Sequence, residues 1–128
     1  MKILLDTHLL LWAAYQPDAL PPAALEEIDA PENEPIFSAA SIWEVSIKAS
    51  LGRPDFDVDP RVLRRGLMDN GYLELSVTGA HAAAVLDLPS LHRDPFDRML
   101  VAQARLEGIV LLTRDRAVAA YGSPARLL

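Results

Sequence analysis

Apolar runs of three to five residues alternate along this chain with longer segments whose apolar positions recur at helical spacing. The apolar runs predict buried strands at residues 3–5, 35–38, 73–77 and 109–113, with a weak edge at 127–128. Proline, cap residues and glycine mark the ends of predicted helices at residues 9–15, 23–30, 42–51, 60–70, 80–86 and 95–107. This alternation predicts a single α/β domain over residues 1–128, with a mainly parallel sheet and helices on both faces.

Acidic residues recur at the edge of this sheet where ligands usually bind. Asp6 and Asp115 directly follow predicted strands, and Glu44 and Asp97 lie at the starts of helices that follow loops. Ligand sites of parallel sheets lie at the carboxyl ends of the strands, near the point where strand order reverses. Carboxylates within about 4–6 Å of one another raise each other's pKa, so a cluster of them at one rim predicts a bound cation.

Each acid also has a purely structural interpretation. Asp6 can cap the following helix, and Ser41 with Glu44 has the spacing of a capping box. Asp97 suits the first turn of any helix because of the helix dipole, and Asp115 can start a short turn at 116–119. Capping is a sufficient explanation for each acid alone, and only their joint placement favours a metal site.

The type of metal follows from the available ligands. The chain has no cysteine, and its three histidines lack the spacing of a histidine metal site. Carboxylate oxygens without thiolate favour Mg²⁺ or Mn²⁺. The chemistry predicted for such a site is attack of a metal-activated water on a phosphodiester bond.

Composition narrows the class of protein further. The 51% hydrophobic content of the 128 residues is enough for a substantial core. The net charge of −6 argues against a protein that coats nucleic acid through bulk positive charge, although ten of the twelve basic residues are arginine, which suits phosphate contact. No signal peptide or membrane span is predicted, so we expect a soluble cytoplasmic protein.

The four acids lie in four recognisable motifs, Leu-Leu-Asp-Thr-His at 4–8, Ser-Ile-Trp-Glu at 41–44, the stretch 92–104 that begins His-Arg-Asp-Pro-Phe-Asp-Arg, and Leu-Thr-Arg-Asp at 112–115. Together these motifs resemble the PIN domain family, and more narrowly the VapC-type toxins of bacterial toxin–antitoxin pairs. The similarity spans the whole chain in the expected order, and the motif beginning at His92 is the most specific. The resemblance implies a three-layer α/β/α fold and a Mg²⁺-dependent endoribonuclease, usually a homodimer, held inactive by a cognate antitoxin.

The resemblance also assigns roles to individual residues. Asp6, Glu44, Asp97 and Asp115 match the acidic quartet of the family. Asp6 and Asp97 are expected to bind the metal directly, Glu44 to orient water or a second ion, and Asp115 to bind through water.

Other residues are expected to support this quartet. Thr7 and Thr113 are candidates for supporting hydrogen bonds. Asp94 shares a helical face with Asp97 and remains an alternative ligand. The family often carries an aromatic residue after the fourth acid, where this chain has Ala117 and Val118.

Surfaces for RNA and for a partner are less sharply predicted. Arg93, Arg98 and Arg114 flank the acidic motifs and are candidates for phosphate contact, with Arg98 favoured. Arginines 61, 64 and 65 fit RNA binding and a solvated surface equally well.

The aromatic side chains are interpreted as packing groups. Trp12, Tyr15 and Trp43 lie among aliphatic residues at helical positions, which favours core or interface packing over base stacking. A hydrophobic groove beside the first two helices would suit an antitoxin helix or strand. The alternative function is a catalytically degenerate PIN-like interaction module.

Overall fold

A computed structural model describes all residues, 1–128, and places five parallel strands in one sheet of order β3-β2-β1-β4-β5. The strands are β1 (Lys2–Leu5), β2 (Glu34–Ser38), β3 (Leu73–Leu75), β4 (Val110–Thr113) and β5 (Ala125–Leu127). The helices are α1 (Thr7–Tyr15), α2 (Pro22–Asp29), α3 (Ala39–Ser50), α4 (Pro60–Asp69), α5 (Gly79–Ala84), α6 (Pro95–Glu107) and α7 (Arg116–Ala119). Single 3₁₀ turns occupy Pro17–Ala19 and Val85–Asp87.

The direction of the chain reverses next to the central strand. From β1 the chain moves outward to β2 and β3, and then returns to place β4 and β5 on the other side of β1. Leu4 of β1 therefore pairs with Ile36 on one side and with Leu111 on the other. The switch point lies between the carboxyl ends of β1 and β4, where the sequence places Asp6 and Asp115.

The hydrophobic core has two parts, one on each face of the sheet. Ile3 and Leu5 belong to one cluster of buried residues, and Leu4 belongs to the other. Successive residues of a strand point to opposite faces, so one short apolar strand serves both clusters. Helices α1 and α4 contribute to the first cluster and α6 to the second. The predicted three-layer arrangement is confirmed.

Most predicted elements are present, with shifts at their ends. Helix α1 begins at Thr7, because Asp6 accepts the Leu9 N–H as its N-cap. Helix α3 begins at Ala39, three residues before the predicted start at 42, because Ser38 is its cap. Strand β3 ends at Leu75, and β5 replaces the weak edge expected at 127–128.

None of the helices combines the length and the apolar composition that crossing a lipid bilayer requires.

Candidate active site

Asp6 lies buried at the switch point, immediately after β1. Its side chain is the N-cap of α1, with Oδ1 accepting the Leu9 N–H over 2.9 Å. Oδ2 accepts the hydroxyl proton of Thr113 over 2.5 Å. Burial raises the pKa of Asp6, and the hydrogen bond from Thr113 opposes that rise. The capping interpretation is therefore correct but incomplete, since this carboxyl is held by two elements at once.

Thr113 connects Asp6 to the fourth acid. Besides donating to Asp6, its hydroxyl oxygen accepts the backbone N–H of Asp115 over 2.9 Å. Asp115 is exposed and caps the short helix α7 through the Ala117 N–H. The Asp115 side chain thus starts a short turn, as its structural interpretation predicts. The hydrogen bond from its backbone N–H to Thr113 fixes the position of its backbone relative to Asp6.

Glu44 is a buried acid with one oxygen that lacks any partner. The residue is 7% exposed, and its Oε1 makes no hydrogen bond. Its Oε2 forms an ion pair of 3.0 Å with Lys48 Nζ, one helical turn onward. An unpartnered buried carboxylate oxygen is costly in free energy, so this atom needs a functional explanation.

The predicted capping box at Ser41 and Glu44 is not formed. Ser38 caps α3, which leaves Ser41 inside the first turn. The buried Ser41 hydroxyl instead accepts a 2.9 Å hydrogen bond from Thr7 Oγ1. Thr7 thereby joins the start of α1 to the helix that carries Glu44. The structural interpretation of Glu44 is wrong.

Asp97 lies in the first turn of α6 and has the most strongly altered acidity of the site. Its pKa is raised to about 6, first by burial and then by the charges of Asp94 and Glu44. A hydrogen bond of 2.8 Å from His92 Nε2 to Asp97 Oδ2 opposes the rise. The charge of Glu44 thus acts on Asp97 from the neighbouring helix, since α3 and α6 are in contact.

Asp94 combines a structural task with a position beside the site. Its Oδ1 accepts the N–H groups of Phe96 and Asp97, as the N-cap of α6. One ligand atom from each of His92, Asp94 and Asp97 lies within 4.8 Å of the others. No three acids of the predicted quartet reach that mutual spacing. The contacts form two groups, Asp6 with Asp115 through Thr113, and Asp97 with Asp94 and His92.

The donor set fits a hard divalent cation. Glu44 offers an unpartnered buried oxygen, and Asp97 carries a negative charge that its surroundings disfavour. A cation relieves both unfavourable features, and carboxylate oxygens are the ligands that Mg²⁺ and Mn²⁺ prefer. His92, one of the three histidines that lack the spacing of a histidine metal site, lies in contact with Asp97.

Lys48 is a site residue that sequence reasoning missed. It is one of only two lysines, and it lies four residues after Glu44 on a predicted helix. This spacing places the two side chains on one helical face and predicts an ion pair. Its ammonium partly neutralises Glu44 in this structure.

The arginines near the site differ in how they are engaged. Arg98 donates to the carbonyl oxygens of Pro89 and Val85 and to the Tyr121 hydroxyl. This geometry does not favour the phosphate contact predicted for Arg98. Arg93 and Arg114 are exposed and make no ion pair or side-chain hydrogen bond, so their guanidinium groups are available.

The predictions for the aromatic side chains and for the groove need adjustment. Trp12 packs against the core, but Tyr15 and Trp43 are 47% and 63% exposed, so for these two only the interface part of the prediction remains. The hydrophobic groove beside α1 is formed with α4 rather than with the second helix. It has a volume of about 400 Å³, and residues such as Tyr15, Val62 and Tyr72 line it.

Comparisons with known proteins agree with this architecture. The family profile of the PIN domain matches residues 3–123. The chain is 28% identical over 123 residues to Ribonuclease VapC22 of Mycobacterium tuberculosis, covering 95% of this chain and 93% of that protein. It is similar in fold to a chain of VapBC2 from Rickettsia felis bound to a DNA fragment from its promoter, with a TM-score of 0.70, 14% identity and coverage of 100% and 98% of the two chains. A toxin–antitoxin complex from Klebsiella pneumoniae gives a TM-score of 0.65 at 17% identity, covering 97% and 95%.

Proposed function

The chain belongs to the PIN domain family, and we propose that it is a metal-dependent endoribonuclease, the toxin of a bacterial type II toxin–antitoxin pair. The observation that carries the proposal is the unpartnered Oε1 of the buried Glu44, whose charge contributes to the raised pKa of Asp97. A catalytically degenerate module would have no reason to keep this costly atom. The similarity to Ribonuclease VapC22 over nearly the whole chain supports RNA as the substrate.

Mg²⁺ is the proposed cofactor, and Mn²⁺ is an acceptable substitute for the same oxygen ligands. Asp6 and Asp97 would hold the ion directly, Glu44 would orient water or a second ion, and Asp115 would act through water. When bound, such an ion lowers the pKa of a coordinated water and stabilises the negative charge of the leaving oxygen.

The other residues of the site orient these carboxylates and influence their charge. Thr113 favours the ionised form of Asp6 and fixes its orientation through a hydrogen bond. Thr7, through Ser41, fixes the helix that carries Glu44. Asp94 acts by holding the first turn of α6 and by adding negative charge beside Asp97, rather than as a required ligand.

The antitoxin is proposed to dock into the groove between α1 and α4. This groove is mostly apolar and lies beside the exposed Tyr15, which suits the apolar face of a helix or an extended segment. An antitoxin truncated at its C-terminal segment should lose binding, and unchanged affinity would contradict this placement. A homodimer and a cytoplasmic location, where cellular RNA is available, complete the proposal.

The decisive experiment is cleavage of a mixed pool of tRNA and single-stranded RNA by the purified chain. The assay compares Mg²⁺, Mn²⁺ and chelator, with Asp6→Ala as the inactive variant. Asp69→Asn is the matched control, because Asp69 is an exposed acid at the end of α4. We expect metal-dependent cuts that Asp6→Ala abolishes and Asp69→Asn retains. Folded, antitoxin-free protein that cuts nothing would instead favour the degenerate interaction module.

A further inference from the structure

An aromatic pair lies beside the candidate metal ligands. The rings of Trp43 and Phe96 pack edge to face with centroids 5.2 Å apart. Each aromatic residue directly precedes an acid of the site, Glu44 on α3 and Asp97 on α6. The same two helices therefore present a pair of carboxylates and, one residue earlier, a pair of rings.

Trp43 is uncovered, although burying an indole is strongly favourable. It is 63% exposed, while Phe96 behind it is half-buried. On one side of the indole lies an apolar cleft of about 620 Å³, a size typical of ligand pockets, lined by residues such as Val77, Val85 and Met99. Trp43 also lines a second hollow of about 470 Å³. The ring thus separates two clefts and contacts both.

Positive charge borders both clefts of this acidic protein. Arg93 lines the larger cleft and makes no ion pair or side-chain hydrogen bond. Arg61 and Arg64 line the smaller one, where Glu74 already neutralises Arg64. Arg61 is 90% exposed and lies 3.6 Å from Asp59. Arg93 is therefore the available guanidinium group, and an exposed ring beside such a group is a combination that binds single-stranded nucleic acid.

We propose that Trp43, supported by Phe96, stacks against an unpaired nucleobase next to the cleaved phosphodiester, while Arg93 contacts a neighbouring phosphate. The inference rests on the proposed ribonuclease function and adds to it a residue that positions the RNA. In a duplex the face of each base is covered by its neighbours and cannot reach the indole. Every base can stack on an aromatic ring, so this stacking platform, formed by Trp43 and Phe96, selects unpaired RNA rather than a particular sequence.

The test uses a single-stranded RNA in which the wild-type cut has been mapped, and copies with an abasic site on either side of that cut. The variants are Trp43→Ala, Trp43→Phe and, as a control for an exposed apolar side chain on another helix, Leu25→Ala. We expect Trp43→Ala to lower kcat/KM on intact RNA by roughly 10-fold or more, a typical loss for one stacked base. On one of the abasic RNAs the same substitution should cost less than about 2-fold, because the base it contacts is already absent. Trp43→Phe should restore most of the activity, and Leu25→Ala should change little.

RNA binding measured in the absence of cleavage provides an independent test of the stacking. In chelator, single-stranded RNA should quench the tryptophan fluorescence of the wild type and of Leu25→Ala, but not that of Trp43→Phe, which retains only Trp12. A chain that cuts no RNA yet shows this quenching would refute the proposed nuclease function and leave the platform standing.

Two outcomes would overturn the platform. The first is an equal loss on intact and abasic RNA, together with quenching that persists in Trp43→Phe. The second is conversion of a wild-type dimer to monomers by Trp43→Ala in light-scattering measurements, which would identify this face as an interface between copies of the chain.

Discussion

Thr113 donates a 2.5 Å hydrogen bond to Asp6 although 107 positions separate them in sequence. The two residues meet because β1 and β4 are neighbours in the sheet and end at the same edge. Thr113 is fully buried, so no water replaces its hydroxyl as a partner for Asp6. This contact links the first and the last acidic motifs into one site.

Thr113→Val should reduce both stability and activity. The substitution keeps the shape of the side chain but leaves Asp6 Oδ2 and the Asp115 N–H without their partner. We expect a loss of about 1–3 kcal/mol in the free energy of unfolding, the usual cost of an unsatisfied buried polar group. The pKa of Asp6 should rise further, which weakens divalent-ion binding. Denaturant unfolding and ion titration measure the two effects, and Thr113→Ser should retain most of both.

Asp97→Asn should stabilise the metal-free protein at neutral pH while abolishing activity. The folded chain holds the proton of Asp97 with a pKa of about 6, against an ordinary value of 3.8. The stabilisation by the protonated form is therefore complete below pH 3.8 and is lost as the pH rises through about 6. At pH 7 we expect Asp97→Asn to exceed the wild type by about 1–3 kcal/mol.

Thermal unfolding with chelator at several pH values checks this prediction. The difference between Asp97→Asn and wild type should shrink as the pH falls toward 4, where both side chains are neutral. Added Mg²⁺ should raise the stability of the wild type alone. An advantage that is the same at pH 4 and pH 7 would contradict the assignment of the raised pKa to Asp97.

Lys48→Met should increase affinity for the divalent ion. The Lys48 ammonium lies 3.0 Å from Glu44 Oε2 and repels a cation bound beside it. We expect a several-fold tighter dissociation constant for Mn²⁺ by calorimetry, and lower stability of the metal-free protein because Glu44 loses its ion pair. Lys2→Met, which changes the only other lysine, is the control. Affinity that falls or stays constant would mean that Lys48 does not compete with the ion.

Substitutions of Arg93 and Arg98 should change different properties, RNA binding for Arg93 and stability for Arg98. Arg93→Met removes an unengaged charge, so it should leave stability unchanged and reduce the salt dependence of RNA binding by about one ion. Arg98→Met removes three hydrogen bonds and should mainly lower the free energy of unfolding. Binding is measured in chelator at several salt concentrations, and unfolding by denaturant. The opposite assignment of effects would restore Arg98 as the phosphate contact.

Local rules account for much of the fold. The short apolar run at Ile3–Leu5 predicts a doubly buried strand, and the Asp94–Pro95 pair predicts the start of α6 to the residue. Helix α3 was misplaced because two serines, Ser38 and Ser41, each satisfy the rule for an N-cap. The choice between them depends on Thr7, whose hydroxyl engages Ser41 from another helix.

The sequence by itself determined the alternation of strands and helices, the parallel sheet and the placement of four acids at the ends of strands and the starts of helices, because periodicity and caps are local properties. Only the tertiary structure decided which acids have a pKa raised by burial. It also decided that Glu44 has an oxygen without a hydrogen-bond partner and that Trp43 is exposed. The tertiary structure also decided that Arg98 is held by hydrogen bonds within the fold, whereas Arg93 is exposed. Burial and hydrogen-bond partners depend on residues brought together from distant parts of the chain, and no local pattern contains that information.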